Sequence, residues 1–261
     1  MEKFNIINYY QNYIQPSTFM DIWGKKAFYK NKGSHIHRAI LYICKNYNFL
    51  NDIERFDTID DFTLYIQEYL NKYLTDFIKE NADDIDNKEK FSNQFKGYIF
   101  ELFTVSFLNF FSTISIKPRD KDTVCTYIFK YICLPPNEYK DYGIDLLCRI
   151  SGRDGISKNA VIQVKYRTSK DFDLHPHIID KLGFQGMKCG FIDTITLENS
   201  KDKTLILFTS EYYDKFKRTF EEHPGFENLI IIDGHTINDL INNQDFWNSF
   251  KQTLNSIIEY N

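Results

Sequence analysis

The stretch "AVIQVKY", Ala160 to Tyr166, decides how the rest of the chain is read. Ala160, Val161, Ile162 and Val164 describe a buried strand, yet Gln163 and Lys165 place an amide and an ammonium two residues apart within it. Strand side chains alternate between faces, so the two polar groups point the same way. Just upstream, "YGIDLLCRI" (142–150) sets Asp145 among Ile144, Leu146 and Leu147, and "SGRDGISKN" (151–159) supplies turn residues between the runs. A hairpin across that turn brings Asp145 beside Gln163 and Lys165. An unpartnered buried charge costs several kcal/mol, on the order of 3–5, so these groups require partners.

A hard divalent cation is one such partner. Mg²⁺ takes oxygen ligands, keeps several waters and shares its remaining positions with substrate phosphate oxygens. Lys165 then faces the reacting phosphate, where an ammonium orients or deprotonates water and offsets developing negative charge. Glu101 fits the same scheme. It is the one charge at the middle of the apolar helical run "FSNQFKGYIFELFTVSFLNFF" (91–111), flanked by Ile99, Phe100, Leu102 and Phe103. Gly97, one turn earlier, is expected to let that helix lie close to a sheet.

These residues, in this order, resemble the PD-(D/E)XK nuclease superfamily, in the variant with Gln for the second acid that is similar to Mrr-like restriction endonucleases. The matching residues are Glu101 in "FELF", Asp145 in "YGIDLL", and Gln163 and Lys165 in "VIQVK". The later "LILFTSEYYDKF" and "NLIIIDGHTINDLI" extend the likeness, so that it covers about residues 91–245. The resemblance implies a restriction-endonuclease-like mixed central sheet flanked by helices. It implies Asp145 as principal metal ligand, Gln163 as second ligand through its side-chain oxygen, Glu101 as auxiliary ligand and Lys165 as catalytic lysine. The implied cofactor is Mg²⁺, with Mn²⁺ as substitute, and the implied reaction is hydrolysis of DNA phosphodiester bonds. A junction-resolving or repair nuclease is the alternative within the same chemistry. A catalytically silent domain of the same fold, binding nucleic acid or protein, is the alternative outside it. An Asp145–Lys165 ion pair without chemistry also remains open, as does pairing of Glu101 with Lys165 or Lys96 instead of metal.

Outside this stretch the chain divides into two regions. Residues 1–90 read as helical, most clearly over "TIDDFTLYIQEYLNKYLTDFIKE", where Thr58 is a candidate N-cap three residues before Asp61. The charged run "ENADDIDNKEK" (80–90) marks the expected boundary, leaving a helical domain at 1–90 and the nuclease-like domain at 91–261. After the central runs, strands "TLILFTS" and "NLIIID" alternate with helices, which indicates an α/β sheet. The glycines of "GFQGMKCG" (183–190) lack phosphate-loop spacing and read as a turn.

Composition sets outer limits. The 261 residues are 43% hydrophobic with a formal charge of −4, enough to bury a large core and unlike a basic coat protein. Local cations still count: Arg153, Lys158, Arg167 and Lys170 crowd the expected hairpin and are candidate phosphate contacts to DNA. Five cysteines without a C-x-x-C pair read as reduced thiols. The pairs His35–His37 and His175–His177 lack the companions of a zinc site. No run approaches the roughly 20 apolar residues of a membrane helix. The expected setting is therefore cytoplasmic or nucleoid- or nucleus-associated and not secreted, with DNA as partner and a homodimer left open.

Overall fold

A computed structural model describes residues 4–13, 38–39, 42–43, 45–82, 85, 87–116, 124–133, 135, 143–153, 155–167, 174–195 and 202–259. Its centre is a six-stranded mixed sheet in the order β1-β2-β3-β4-β5-β6. The strands are β1 (Thr113–Ile116), β2 (Cys125–Cys133), β3 (Leu146–Ser151), β4 (Ser157–Lys165), β5 (Leu205–Thr209) and β6 (Leu229–Ile232). The first four run antiparallel, and β4, β5 and β6 are parallel. The protein is thus of mixed α/β class, as the alternation of patterns indicated.

Helices line both faces. In chain order they are α1 (Ile6–Tyr13), α2 (Phe49–Asp52), α3 (Ile59–Tyr65), α4 (Asn71–Glu80), α5 (Lys88–Phe110), α6 (His177–Lys188), α7 (Tyr213–Glu221), α8 (Gly234–Ile241) and α9 (Gln244–Glu259). A π-turn at Ile66–Leu70 joins α3 to α4. Thr58 caps α3, its hydroxyl accepting the Asp61 backbone N–H at 3.1 Å. Helix α5 starts at Lys88, three residues before the expected start, because the Asn87 side chain accepts the Lys90 N–H at 2.8 Å.

Strand alternation sorts the core into two layers. Ile162, Val164, Ile206, Phe208, Ile230 and Ile232 face α5 and α9, in a cluster that also takes in Phe62, Leu74 and Phe77 of α3 and α4. The rings of Phe62 and Phe103 lie 4.8 Å apart, and Phe62 and Trp247 5.2 Å apart. Leu147, Val161, Leu205 and Leu207 face the other way, onto Ile179 and Leu182 of α6.

Two glycine expectations are corrected. "GFQGMK" is not a turn: it is the second half of α6. A Cβ at Gly186 would stand 3.0 Å from Ile192 and 3.2 Å from Val161, so the missing side chain sets how close α6 lies to β4. Gly97 has the reverse role. A Cβ there would meet nothing within 4 Å, since the α5 ridge on the sheet is Phe100, Phe103 and Phe107 rather than the face of Gly97 and Glu101. No helix among the described residues is long and apolar enough to cross a membrane.

Candidate active site at the ends of strands three and four

Register brings the predicted groups together. Leu146 pairs with Ile162 in the antiparallel β3–β4 ladder. One step further, the Asp145 N–H donates to the Ile162 carbonyl at 3.0 Å, which sets Asp145 directly across from Gln163. Directly opposed residues share a face, and Lys165 shares it with Gln163 by strand parity. This is the α6 face of the sheet.

The Asp145 carboxylate is held by two donors from β4. Its Oδ2 accepts the Gln163 side-chain Nε2–H and the Val164 backbone N–H, the latter at 2.7 Å. Gln163 is 6% exposed, so its amide is a buried polar group with its donor satisfied. Its Oε1 points toward Gly143, 3.6 Å from where a Cβ of that residue would stand. Gly143 adopts φ +78°, a left-handed conformation that admits the turn into β3 and leaves room for neighbours.

Lys165 closes the cluster. Burial pulls its ammonium below the ordinary lysine value. The Asp145 carboxylate opposes that shift, Arg167 and Lys181 reinforce it, and Glu101 opposes it most weakly. All four charges therefore act on one ammonium. Glu101 does so from α5, the layer on the other face of the sheet, and it also raises the buried Tyr98 phenol, after burial itself. The strand end is fixed by Ser210, whose hydroxyl accepts the Arg167 N–H at 2.8 Å and donates to the Arg167 carbonyl at 2.7 Å. Asp233, which ends the strand part of "NLIIIDGHTINDLI", has a structural role. It caps α8 through the Thr236 N–H at 3.1 Å and also accepts the Tyr213 N–H of α7 at 2.9 Å.

The expected basic patch is not assembled here as a unit. Lys158 lies seven residues from Lys165, about 23 Å along an extended strand, and pairs with Asp202 at 2.6 Å. Arg153 sits in the hairpin turn and donates to the Val124 carbonyl. Arg167 alone of the described candidates stands at the site. Lys170 lies outside the described residues, as do His35 to His37.

Lys181 is the residue the sequence reading missed. Its Cε and Nζ lie 2.9 and 3.1 Å from the Cβ position of Gly143, beside Gln163 Oε1. Reading "HPHIIDKLGFQGMK" as a helix with small residues against the sheet would have found it, because Lys181 then falls on the outer face.

Among the described residues no three His, Cys, Asp or Glu side chains gather into a metal-binding group. The oxygens that meet at this site are those of Asp145 and the Gln163 amide; Glu101 stands on α5, across the sheet, and is felt there only as the weakest of the charges acting on Lys165. An all-oxygen set with few carboxylates is the kind Mg²⁺ accepts, because that ion keeps much of its water shell. A half-turn of the Gln163 amide, which exchanges its oxygen and nitrogen, completes the fit. No protein-family model matches the chain, and neither a curated protein nor a solved structure shows significant similarity to it.

Proposed function

We propose that the protein is a PD-(D/E)XK-type endonuclease with a restriction-endonuclease-like fold, hydrolysing DNA phosphodiester bonds with Mg²⁺ or Mn²⁺. The observation that carries this reading is the meeting of Asp145, Gln163 and Lys165 on one sheet face, with the Lys165 ammonium partly desolvated in the field of Asp145. A mixed sheet with α5 on one face and α6 on the other supports it, as does the strand–helix order after Lys165.

Asp145 and Gln163 are the residues that would hold the cation, with Glu101 as an auxiliary ligand reaching it through water. Bound there, it supplies Lewis-acid stabilisation of phosphate charge. The chain's own groups do the rest. The Val164 N–H fixes the Asp145 carboxylate in place before substrate arrives, so the turned Gln163 amide is left to offer its oxygen. Lys165 donates to the attacking water or to a non-bridging phosphate oxygen and offsets the added charge. Water adds to phosphorus in line, the bond to the leaving oxygen breaks, one proton leaves the water and one is taken up by the leaving group. Arg167 and Lys181 hold the flanking phosphates by charge.

The test is cleavage of supercoiled, linear and branched DNA with Mg²⁺ or Mn²⁺. Wild-type protein cuts, and Asp145→Ala and Lys165→Ala do not; variants as active as the parent reject the reading. One observation favours a second reading, a silent nucleic-acid-binding domain: Gln163 gives its nitrogen, not its oxygen, to Asp145, so the cluster is satisfied by its own hydrogen bonds. Metal-dependent thermal stabilisation that Asp145→Asn abolishes separates the two, because a ligand bound to the native state raises apparent stability.

A further inference from the structure

Helix α6 carries a narrow outer stripe. At 100° per residue, His177, Lys181, Phe184 and Lys188 fall within an arc of about 60°. Phe184 is 59% exposed, more than any other large apolar side chain among the described residues. The opposite side of the helix is pinned to the sheet by Leu182, Gly183 and Gly186. The stripe begins at the candidate active site, since Lys181 touches Gly143 beside Gln163. Lys181 has no carboxylate partner among the described residues. The acid next to it, Asp180, is taken by His223 at 3.1 Å and His177 at 3.7 Å.

We infer that this face of α6 is the track for a DNA strand whose bases are unpaired beside the cleavage point, with Lys181 on a phosphate and Phe184 stacked on a base. The inference rests on the nuclease reading for the chemistry at its end, though not for the binding itself. Charge complementarity points to a polyanion, since Lys181 shares the stripe with Lys188 and adds its charge to that of Arg167 at Lys165, on a chain of net charge −4. The exposed ring points to an unpaired strand. An aromatic face gains most from a base free to stack on it, whereas a duplex would offer it only the sugar-phosphate ridge. The spacing suits adjoining contacts: Phe184 lies about 4.5 Å along the helix axis from Lys181, and Lys188 about 10.5 Å.

The experiment uses the full chain carrying Asp145→Asn, without divalent metal, so that binding is read without cleavage. Its probes are a single-stranded oligonucleotide with one 2-aminopurine and the same sequence as duplex. Expected are tighter binding of the single strand and a change in 2-aminopurine fluorescence. Adding Phe184→Ala should weaken single-strand binding about tenfold and remove the fluorescence change, with Phe184→Trp restoring both. Lys181→Ala should weaken binding and reduce the salt slope by about one. Phe184 is exposed, so circular dichroism should show unchanged folding. Duplex preference, or a Phe184→Ala protein that binds the single strand like its parent, overturns the inference even if wild-type protein cuts DNA. Phe184-dependent binding by a wild-type protein that cuts nothing keeps the track and removes the nuclease reading.

Discussion

The backbone N–H of Val164 donates to the carboxylate of Asp145 at 2.7 Å, tying the entry of β3 to the strand that carries Gln163 and Lys165. A strand-end carboxylate is thus both part of the fold and the centre of the candidate site, and substitutions separate the roles. Asp145→Ala strands the Val164 N–H and the Gln163 amide and should cost about 1–3 kcal/mol in urea denaturation. Asp145→Asn keeps an acceptor oxygen for Val164 and should cost distinctly less, while abolishing cleavage as completely as Ala does. Equal destabilisation by the two would show that charge, not hydrogen bonding, holds this junction.

Gln163→Glu puts a second carboxylate against Asp145. Without metal the bond from Nε2 is lost and like charges oppose each other, so one of the acids should hold its proton above the usual carboxylate range. A carboxyl pKa raised in the folded state gives stability present at low pH and lost as pH rises. The variant should therefore be less stable than wild type at neutral pH, approach it near pH 4, and gain more than wild type from added Mg²⁺. Thermal melts at the two pH values, with and without Mg²⁺, test this; a variant insensitive to both would rule out direct apposition of the two side chains.

Strand parity made this cluster legible. A period of two fixes Gln163 and Lys165 on one face whatever surrounds them, and a hairpin over a recognisable turn fixes Asp145 opposite. Lys181 was not legible for a physical reason as definite. Gly183 and Gly186 read locally as chain breakers, but in the fold they are contact points that let α6 approach β5 and β4. Arg153 and Lys158 stand apart from Lys165 for the opposite reason. Their nearness in sequence to Lys165 suggested a patch, whereas extended strands separate close neighbours quickly: Lys158 stands at the start of β4 and Arg153 in the turn before it, at the far end of the hairpin.

The lowered affinity of Lys165 for its proton has a measurable consequence. Unfolded, the group titrates near its ordinary 10.5; folded, burial places it lower. Between the two values the unfolded chain binds more protons, so wild-type stability gains with rising pH there. Lys165→Met removes that contribution along with the cost of burying an ammonium. The Met variant's advantage over wild type should be largest below the window and shrink as pH approaches 10.5. Urea denaturation of both proteins at three alkaline pH values measures it, and a difference constant with pH would show that Lys165 is not desolvated.

Two alanine substitutions at helical glycines should have opposite signs. Gly186→Ala forces a methyl to within 3.0–3.2 Å of Ile192 and Val161 and should destabilise by about 1–3 kcal/mol. Gly97→Ala adds a methyl where nothing lies within 4 Å, in the interior of α5, and should stabilise by about 0.5–1 kcal/mol. Denaturant midpoints for the pair check both. Destabilisation at Gly97 would place the Glu101 face of α5 against a neighbour and narrow the room beside the site.

The last prediction concerns the helices before residue 81. The Asn238 side chain accepts the Ile59 N–H at 2.6 Å, and the Tyr212 hydroxyl donates to Asp60 at 2.7 Å. Tyr166, the residue after β4, donates its hydroxyl to the Thr63 carbonyl at 3.0 Å. With Phe62 stacked on Phe103 and tilted against Trp247, α3 is joined by polar and aromatic contacts to α5 and to elements more than a hundred residues away. The Tyr212 phenol is pushed up to about 12 by burial first and by its bond to Asp60 second. A folded pKa above the unfolded value gives stability that is complete below pH 10 and fades as pH rises toward 12. Tyr212→Phe should lose about 0.5–1.5 kcal/mol at neutral pH and show a weaker alkaline decline than wild type. Unfolding monitored by Trp247 fluorescence in a Trp23→Phe background and by far-ultraviolet circular dichroism should give one coincident transition. Separate transitions would mean that α3 and α4 come away from the sheet before it unfolds.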